Sequence, residues 1–252
     1  MNESLAPAAA GSGAGKLNNG TRKNKNYPNK DMLAAIKTKI ETLPGSYRFL
    51  YTEPKSLESS YFFVGLNPGG SETDPSDLFV EADNAIVHEK WNKAGNGYNG
   101  LQQQMIYFFQ QMANHLEIGE WIPYMSKNWM ISNFVFYRSP RWNEMARKTA
   151  HIANCKEIWH QIFTKNTPKI IVANGHETYE FMNDLLEEFG YEKESEAKSC
   201  RAWDGPHITI RKKEEKKCLV IGFAHLSTFK VVKREENKVC MENIYRLIKE
   251  HQ

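Results

Sequence analysis

Side chains that can recognise a nucleobase follow, or lie within, apolar segments typical of buried strands. Asn67 comes directly after "YFFVGL", Asn133 lies inside "WMISNFVFY", and His225 follows "CLVIGFA". A carboxamide offers a hydrogen-bond donor and an acceptor side by side, which matches the edge of a base. If these strands are parallel, their carboxyl ends meet at one edge of a sheet, where ligands of open α/β sheets bind. Hydroxyls and cations follow the same strands, namely Ser227, Thr228, Arg138, Arg141 and Lys230.

Several common catalytic signatures are missing from the sequence. No GxxxxGK[ST] segment indicates a phosphate-binding loop, no GxGxxG follows a predicted strand, and no GxSxG marks a hydrolase serine. The cysteines are far apart and form no CxxC pair, so we expect free thiols and neither a zinc nor an iron–sulfur site. These cysteines are Cys155, Cys200, Cys218 and Cys240. The sequence therefore predicts no cofactor and no metal.

Helical and strand patterns alternate along the 252-residue chain. Segments such as "LQQQMIYFFQQMANHL" have apolar residues at helical spacing, and short apolar runs such as "KIIVANG" lie between them. This alternation predicts a three-layer α/β/α sandwich with a mostly parallel central sheet. We expect one domain over residues 29–252. Residues 1–28 are rich in Ala, Gly, Asn and Lys, and we expect a disordered basic tail that either follows a phosphate backbone or is simply solvated.

Four segments, in order, resemble the uracil-DNA glycosylase superfamily. They are "GLNPGG", "SNFVFYRSPRWN", "CKEIWHQIFTKNTPKIIVANG" and "GFAHLST". The first is similar to the first motif of the mismatch-specific uracil/thymine branch. The last is similar to the His-Pro-Ser second motif of the superfamily. The resemblance covers about residues 48–250, although Asn-Pro-Gly-Gly alone is also the composition of an ordinary turn.

The resemblance implies a monofunctional DNA glycosylase, which extrudes a base and hydrolyses its N-glycosidic bond to leave an abasic site. In that role Asn67 would position the attacking water, and His225 would stabilise negative charge on the departing base. Asn133 would read the base through its amide. The other base-binding positions would be Tyr98 and Phe79, as stacking residues, and Leu66.

The same resemblance implies contacts to DNA. The loop of residues 226–230 would enter the groove, with Leu226 or Phe229 filling the space that the base leaves. Phosphate contacts would come from the hydroxyls and cations of the strand ends, namely Ser227, Thr228, Arg138, Arg141 and Lys230.

Two departures from the family pattern lie where a pocket would be shaped. Leu226 stands where the second motif has its Pro, and a long loop extends from Gly69 to Asn99. A remodelled pocket could take a bulky modified cytosine of phage DNA, which would be antiviral defence. An ordinary pocket would take uracil or a mismatched pyrimidine, which would be DNA repair. The sequence leaves both open.

The expected partner is double-stranded DNA with an extruded base. A net charge of +3 permits this partner without demonstrating it. No apolar run reaches the roughly 18 residues of a membrane helix, so we expect no membrane partner. The free thiols favour the reducing cytoplasm. We also expect a monomer. Two other functions remain open: a reader of flipped or single-stranded bases that does not cut, and an α/β enzyme that acts on free nucleosides.

Overall fold

The computed structural model describes residues 29–80, 84–92, 97–198 and 206–252, so the predicted tail lies outside the described residues. The strands are β1 (Tyr61–Gly65), β2 (Trp129–Asn133), β3 (Ile170–Asn174), β4 (Glu192–Lys198), β5 (His207–Lys213) and β6 (Lys216–Phe223). The helices are α1 (Lys30–Ile40), α2 (Ala85–His88), α3 (Gly100–His115), α4 (Trp121–Asn128), α5 (Lys148–Lys165), α6 (His176–Glu188) and α7 (Lys238–Glu250).

The strands form one sheet in the order β2-β1-β3-β6-β5-β4. The first four strands are parallel, whereas β5 and β4 are antiparallel to their neighbours. The four parallel strands therefore have their carboxyl ends at the same edge. This arrangement confirms the prediction of a mostly parallel central sheet.

Alternate residues of each central strand pack on opposite sides of the sheet. Phe62 and Val64 join a core with α1, α5 and α6. Phe63, which points the other way, joins a second core with α3, α4 and α7. Both faces are covered because successive side chains of a strand alternate between them. The layers confirm the predicted α/β/α sandwich.

Three elements are not predicted by the sequence patterns. Helix α2 has only four residues and lies within the predicted loop from Gly69 to Asn99. Helix α4 is only 8 residues long and has Pro123 in its first turn, where proline costs no helical hydrogen bond. Strand β4, "EKESEAK", has no apolar alternation, because it is the edge strand of the sheet. Charged residues are common on such edges, where they discourage pairing with other chains.

The cysteines give a mixed outcome. Cys155 and Cys218 are free and buried, as expected, and burial raises the pKa of Cys155 to about 12. The expectation of a free thiol is wrong at Cys240, which is disulfide-bonded. Among the described residues, no helix combines the length and the apolarity that crossing a membrane requires.

Candidate base-binding site

The carboxyl ends of the parallel strands bring polar side chains into one row. Asn133, the last residue of β2, is opposite Gly65 of β1. Val64 is opposite Ala173, so Asn174 of β3 comes next on the other side of Gly65. A cavity of about 490 Å³ opens over this row. Its lining includes Asn67, Asn133 and Asn174, the aromatic residues Tyr51, Phe63 and Trp91, and the charged residues Arg48, Glu89 and Arg138.

Gly65 leaves room for the amide of Asn133. A Cβ at this position would lie 2.3 Å from Oδ1 of Asn133, which is far closer than two such atoms can approach. The absence of a side chain at residue 65 therefore fixes where the Asn133 amide can lie.

If the site releases a base, as the resemblance to glycosylases implies, Gly65→Ala should lower that rate by about 10²-fold, because displacing the Asn133 amide misaligns the bound base. The control is Gly100→Ala, since a Cβ at Gly100 has no atom within 4 Å. Steady-state kinetics of both variants, with thermal melts to check folding, give the comparison. Equal activity in the two folded variants would contradict this role of Gly65.

Asn67 is held by the turn that follows β1. Its Nδ2 donates to the carbonyl oxygens of Pro68 at 3.0 Å and Ser139 at 3.4 Å. The chain after β2 lies alongside, since Ser139 N donates to Pro68 O. Because both partners of Nδ2 are acceptors, the orientation of the amide is fixed. Its Oδ1 accepts no hydrogen bond from any described residue, and the side chain lines the cavity. Oδ1 is therefore placed to accept from a water or a ligand.

Asn133 is oriented by a tyrosine. Its Nδ2 donates to the Tyr51 hydroxyl at 2.9 Å. Burial raises the pKa of Tyr51, although Arg48 and the Asn133 amide oppose this, so the hydroxyl is neutral and can also donate. Tyr51 meets Trp91 edge to face, with ring centroids 5.6 Å apart. These two rings and Phe63 give the cavity its aromatic surface.

An ion pair supports this aromatic wall. Arg48 donates from both terminal nitrogens to Glu89, at 2.8 and 2.5 Å, and lies 4.6 Å above the Tyr51 ring. Trp91 Nε1 also donates to Glu89, at 3.0 Å. Burial alone would raise the pKa of Glu89, but the hydrogen bonds from Arg48 and Trp91 outweigh it and lower the pKa. The carboxylate therefore stays charged and ties both rings in place.

Loss of this pair should destabilise the fold. Arg48 has a side chain only 8% exposed, so Glu89→Ala leaves a buried guanidinium without its partner. Because Glu89 is itself 39% exposed, we expect a loss of about 2 kcal/mol in the free energy of unfolding, below the value for a fully buried pair. The control is Glu144→Ala, which removes the exposed pair with Arg141 and should change stability by less than about 0.5 kcal/mol. Chemical denaturation measures both. Equal losses would show that the Arg48–Glu89 pair stabilises the fold no more than an exposed pair does.

His225 lies one strand beyond Asn174, in the turn after β6, and is not among the residues that line the cavity. Its Nδ1 is 2.6 Å from Ser227 Oγ. A Cβ at Gly175, whose φ is +110°, would lie 3.3 Å from the ring, so this glycine makes room for the imidazole. Burial lowers the pKa of His225, and Glu177 only partly opposes it. The ring is therefore neutral at pH 7, and when Ser227 donates to Nδ1 its proton is on Nε2.

The loop after His225 is held by hydrogen bonds to helix α3. Gln104, a buried residue of α3, donates from Nε2 to the carbonyl oxygens of Leu226 and Phe229. Its Oε1 accepts from Val232 N at 3.2 Å. Leu226 is only 1% exposed and packs in the core with α3 and α7. The structure thus does not place Leu226 where it could enter a groove. Phe229 is partly buried, and the exposed residues of the loop are Ser227, Thr228 and Lys230.

Three predicted base-binding residues do not reach the cavity. The Tyr98 hydroxyl donates to Val87 O at 2.7 Å, and its ring lies under Lys90. Phe79 packs against the core with α1, α5 and α6. Leu66 is buried, and its carbonyl accepts from Val135 N. The aromatic surface comes instead from Tyr51, Phe63 and Trp91, which the sequence analysis missed because Tyr51 and Trp91 lie in loops without a pattern.

The two predicted arginines differ in exposure. Arg138 has a side chain only 11% exposed, which donates to Asp77 at 3.0 Å and to Gly69 O at 3.1 Å. It therefore braces the loop beside the cavity. Arg141 is 79% exposed and pairs only at the surface, with Glu144. Of the two, Arg141 is placed to meet a phosphate without breaking buried contacts.

Comparisons with known proteins add no assignment. No protein-family model matches this chain, and no curated protein matches it either. Within the described ranges, no group of three or more His, Cys, Asp or Glu side chains is arranged to hold a metal ion.

Proposed function

We propose that this protein is a monofunctional DNA glycosylase, which binds a base extruded from DNA and hydrolyses its N-glycosidic bond. One observation carries the proposal: the carboxamides of Asn133, Asn67 and Asn174 stand at the ends of adjacent strands around an aromatic-walled cavity, with His225 in the turn that follows the next strand, β6. Amide edges match base edges, and aromatic faces match base faces.

The reaction assigned to this site uses water as the nucleophile. The water oxygen forms a bond to C1′ of the deoxyribose, and the C1′–N bond breaks with its electron pair passing to the base. The base leaves as an anion and later takes up a proton, while the attacking water loses one. Asn67 Oδ1 accepts a hydrogen bond from the water and orients it, since an amide cannot remove a proton as a carboxylate does. His225 Nε2 donates to the departing base and stabilises its charge.

The cavity favours a bulky substrate over a bare ring. Its volume of about 490 Å³ is in the range of sites that enclose drug-sized molecules, roughly 300–1,000 Å³. Glu89 and Arg48 are among its lining residues, and the Glu89 side chain, which is 39% exposed, can meet polar substituents. We therefore favour a modified cytosine of phage DNA, and thus antiviral defence. Uracil or a mismatched pyrimidine, and thus repair, is the second candidate substrate.

The partner in this proposal is double-stranded DNA, bound by a monomer in the cytoplasm. Exposed polar residues surround the edge that carries His225. Ser227, Thr228 and Lys230 are exposed on the loop after β6, and Arg141 is exposed on the loop after β2. Such groups can hold phosphates on both sides of an extruded nucleotide.

Abasic-site formation tests the proposal. Duplexes that carry uracil, G:T, G:U or a bulky modified cytosine are incubated with the protein and then cleaved with alkali. We expect cleavage only at the position of the uracil, mismatched or modified base, and most cleavage for the bulky cytosine. Tight binding without any cleavage would contradict the enzyme and support a reader of extruded bases. Cleavage of uracil in preference to the bulky base would keep the enzyme and change its substrate.

A further inference from the structure

Asn174 closes the row of polar groups on the side of His225. It is the last residue of β3, directly opposite Phe223 of β6, and it lines the cavity. Only 3% of its surface is exposed, so the amide is shielded from bulk water. A buried amide is expected to satisfy its hydrogen-bonding groups.

Only one end of this amide has a protein partner. Oδ1 accepts from the backbone N–H of Leu226 at 2.8 Å. Because that partner is a donor, the orientation of the amide is decided, and Nδ2 must face away from it. Across the described part of the chain, Nδ2 donates to nothing. Asn174 therefore presents two unused N–H groups at a cavity that it lines.

We infer that Asn174 is a further base-binding residue, whose Nδ2 donates to a carbonyl oxygen of the extruded base. The inference rests on the proposed function, and it assigns to one residue both the recognition of the base and a link to the His225 loop. A donor at this point also favours the negative charge that spreads onto a carbonyl oxygen when the base departs. Binding of the base would in turn stiffen the contact between Asn174 and Leu226, the neighbour of His225.

Asn133 complements this donor from the other side of Gly65. Its Nδ2 is taken by Tyr51, while Oδ1 accepts no hydrogen bond within the described ranges and faces the gap at Gly65. The floor of the cavity thus offers an acceptor at Asn133 and a donor at Asn174, one strand to each side of Gly65. A ring with a donor and a carbonyl acceptor on its edges, such as a pyrimidine, fits this polarity.

Asn174→Asp separates recognition from structure. The carboxylate keeps an oxygen for Leu226 N–H and nearly the same volume, but it replaces the free donor by an acceptor. We expect a loss of about 10²-fold in kcat/KM near neutral pH with an unchanged melting temperature. Because a protonated carboxyl regains a donor, the ratio of variant to wild-type activity should rise as the pH falls. A purely structural role gives no such recovery.

The control is Thr178→Val, which removes only the hydrogen bond from Oγ1 to the backbone carbonyl of Asn174 and should leave kcat/KM nearly unchanged. A second readout is affinity for a duplex whose bulky modified cytosine carries a 2′-fluorine on its deoxyribose, which makes the glycosidic bond resist hydrolysis, relative to an unmodified duplex. Asn174→Asp should lose this preference and Thr178→Val should keep it.

The outcomes separate the inference from the proposed function. Wild-type protein that prefers the fluorinated duplex but releases no base overturns the glycosylase alone. The inference is then supported if Asn174→Asp loses this preference, and it is overturned if the variant keeps it. Asn174→Asp that matches the wild type in both readouts overturns the inference alone, as does a deficit that does not change with pH. A wild type with neither preference nor activity overturns both.

Discussion

Asn67→Ala is expected to lower the rate of base release by about 10³-fold while leaving DNA affinity nearly unchanged. The wild-type amide is locked by the carbonyl oxygens of Pro68 and Ser139, so its Oδ1 has one position relative to the cavity. Alanine removes that acceptor, and an attacking water then has no fixed place opposite C1′. The side chain contributes little to the core, so folding should be preserved.

Single-turnover kinetics with enzyme in excess measure this loss without interference from product release. The control is Ser71→Ala in the same turn, whose hydroxyl contacts Thr73 at the surface. It should react at the wild-type rate. If Asn67→Ala and Ser71→Ala release base equally fast, the water is positioned by another group and the assigned role of Asn67 is wrong.

His225→Ala should lower the rate by about 10²-fold, the usual effect of removing one donor to a developing anion. Burial lowers the pKa of this histidine, so the ring does not change its charge above neutral pH. The loss should therefore be the same from about pH 7.5 to pH 8.5. A rate–pH profile of both proteins measures it. An exposed histidine, as in His160→Ala, provides the control.

The lowered pKa of His225 also makes the free energy of unfolding depend on pH. The unfolded chain binds a proton with a pKa of about 6.5, whereas the folded chain binds it only at lower pH. Between these values the unfolded state holds more protons, so this residue destabilises the fold as the pH falls through that window. The difference in unfolding free energy between wild type and His225→Ala should become less favourable to the wild type there. A constant difference from about pH 7.5 to pH 5 would contradict the buried neutral ring.

The central layers could be predicted because each strand is short, apolar and followed by a helical pattern. The same logic placed Asn67, Asn133 and His225 near one edge, since the carboxyl ends of parallel strands coincide. The row formed by Gly65, Asn133 and Asn174 depends on the register between strands, which the sequence does not state. Asn174 was therefore missed although it ends the same kind of strand.

The walls of the cavity could not be predicted for a different reason. Tyr51 and Trp91 lie in loops, and the ion pair that holds them joins residues 41 positions apart in the chain. No periodic pattern reports such contacts. The burial of Leu226 depends on its hydrogen bond with Gln104 of α3. Nothing in the helical pattern of α3 indicates that this polar residue contacts the loop. Tertiary contacts of this kind decide which residue of a loop is exposed.

Release of an intact base is the most direct test of the central claim. A duplex with one bulky modified cytosine is incubated in water enriched in ¹⁸O with the wild type and with Asn67→Ala, and the products are weighed by mass spectrometry. We predict a free, unlabelled base and an abasic sugar that carries one ¹⁸O with the wild type, and almost none of either with the variant. If the wild type leaves every duplex in a panel with uracil, G:T, G:U and the modified cytosine intact while binding it tightly, the protein reads extruded bases and does not excise them.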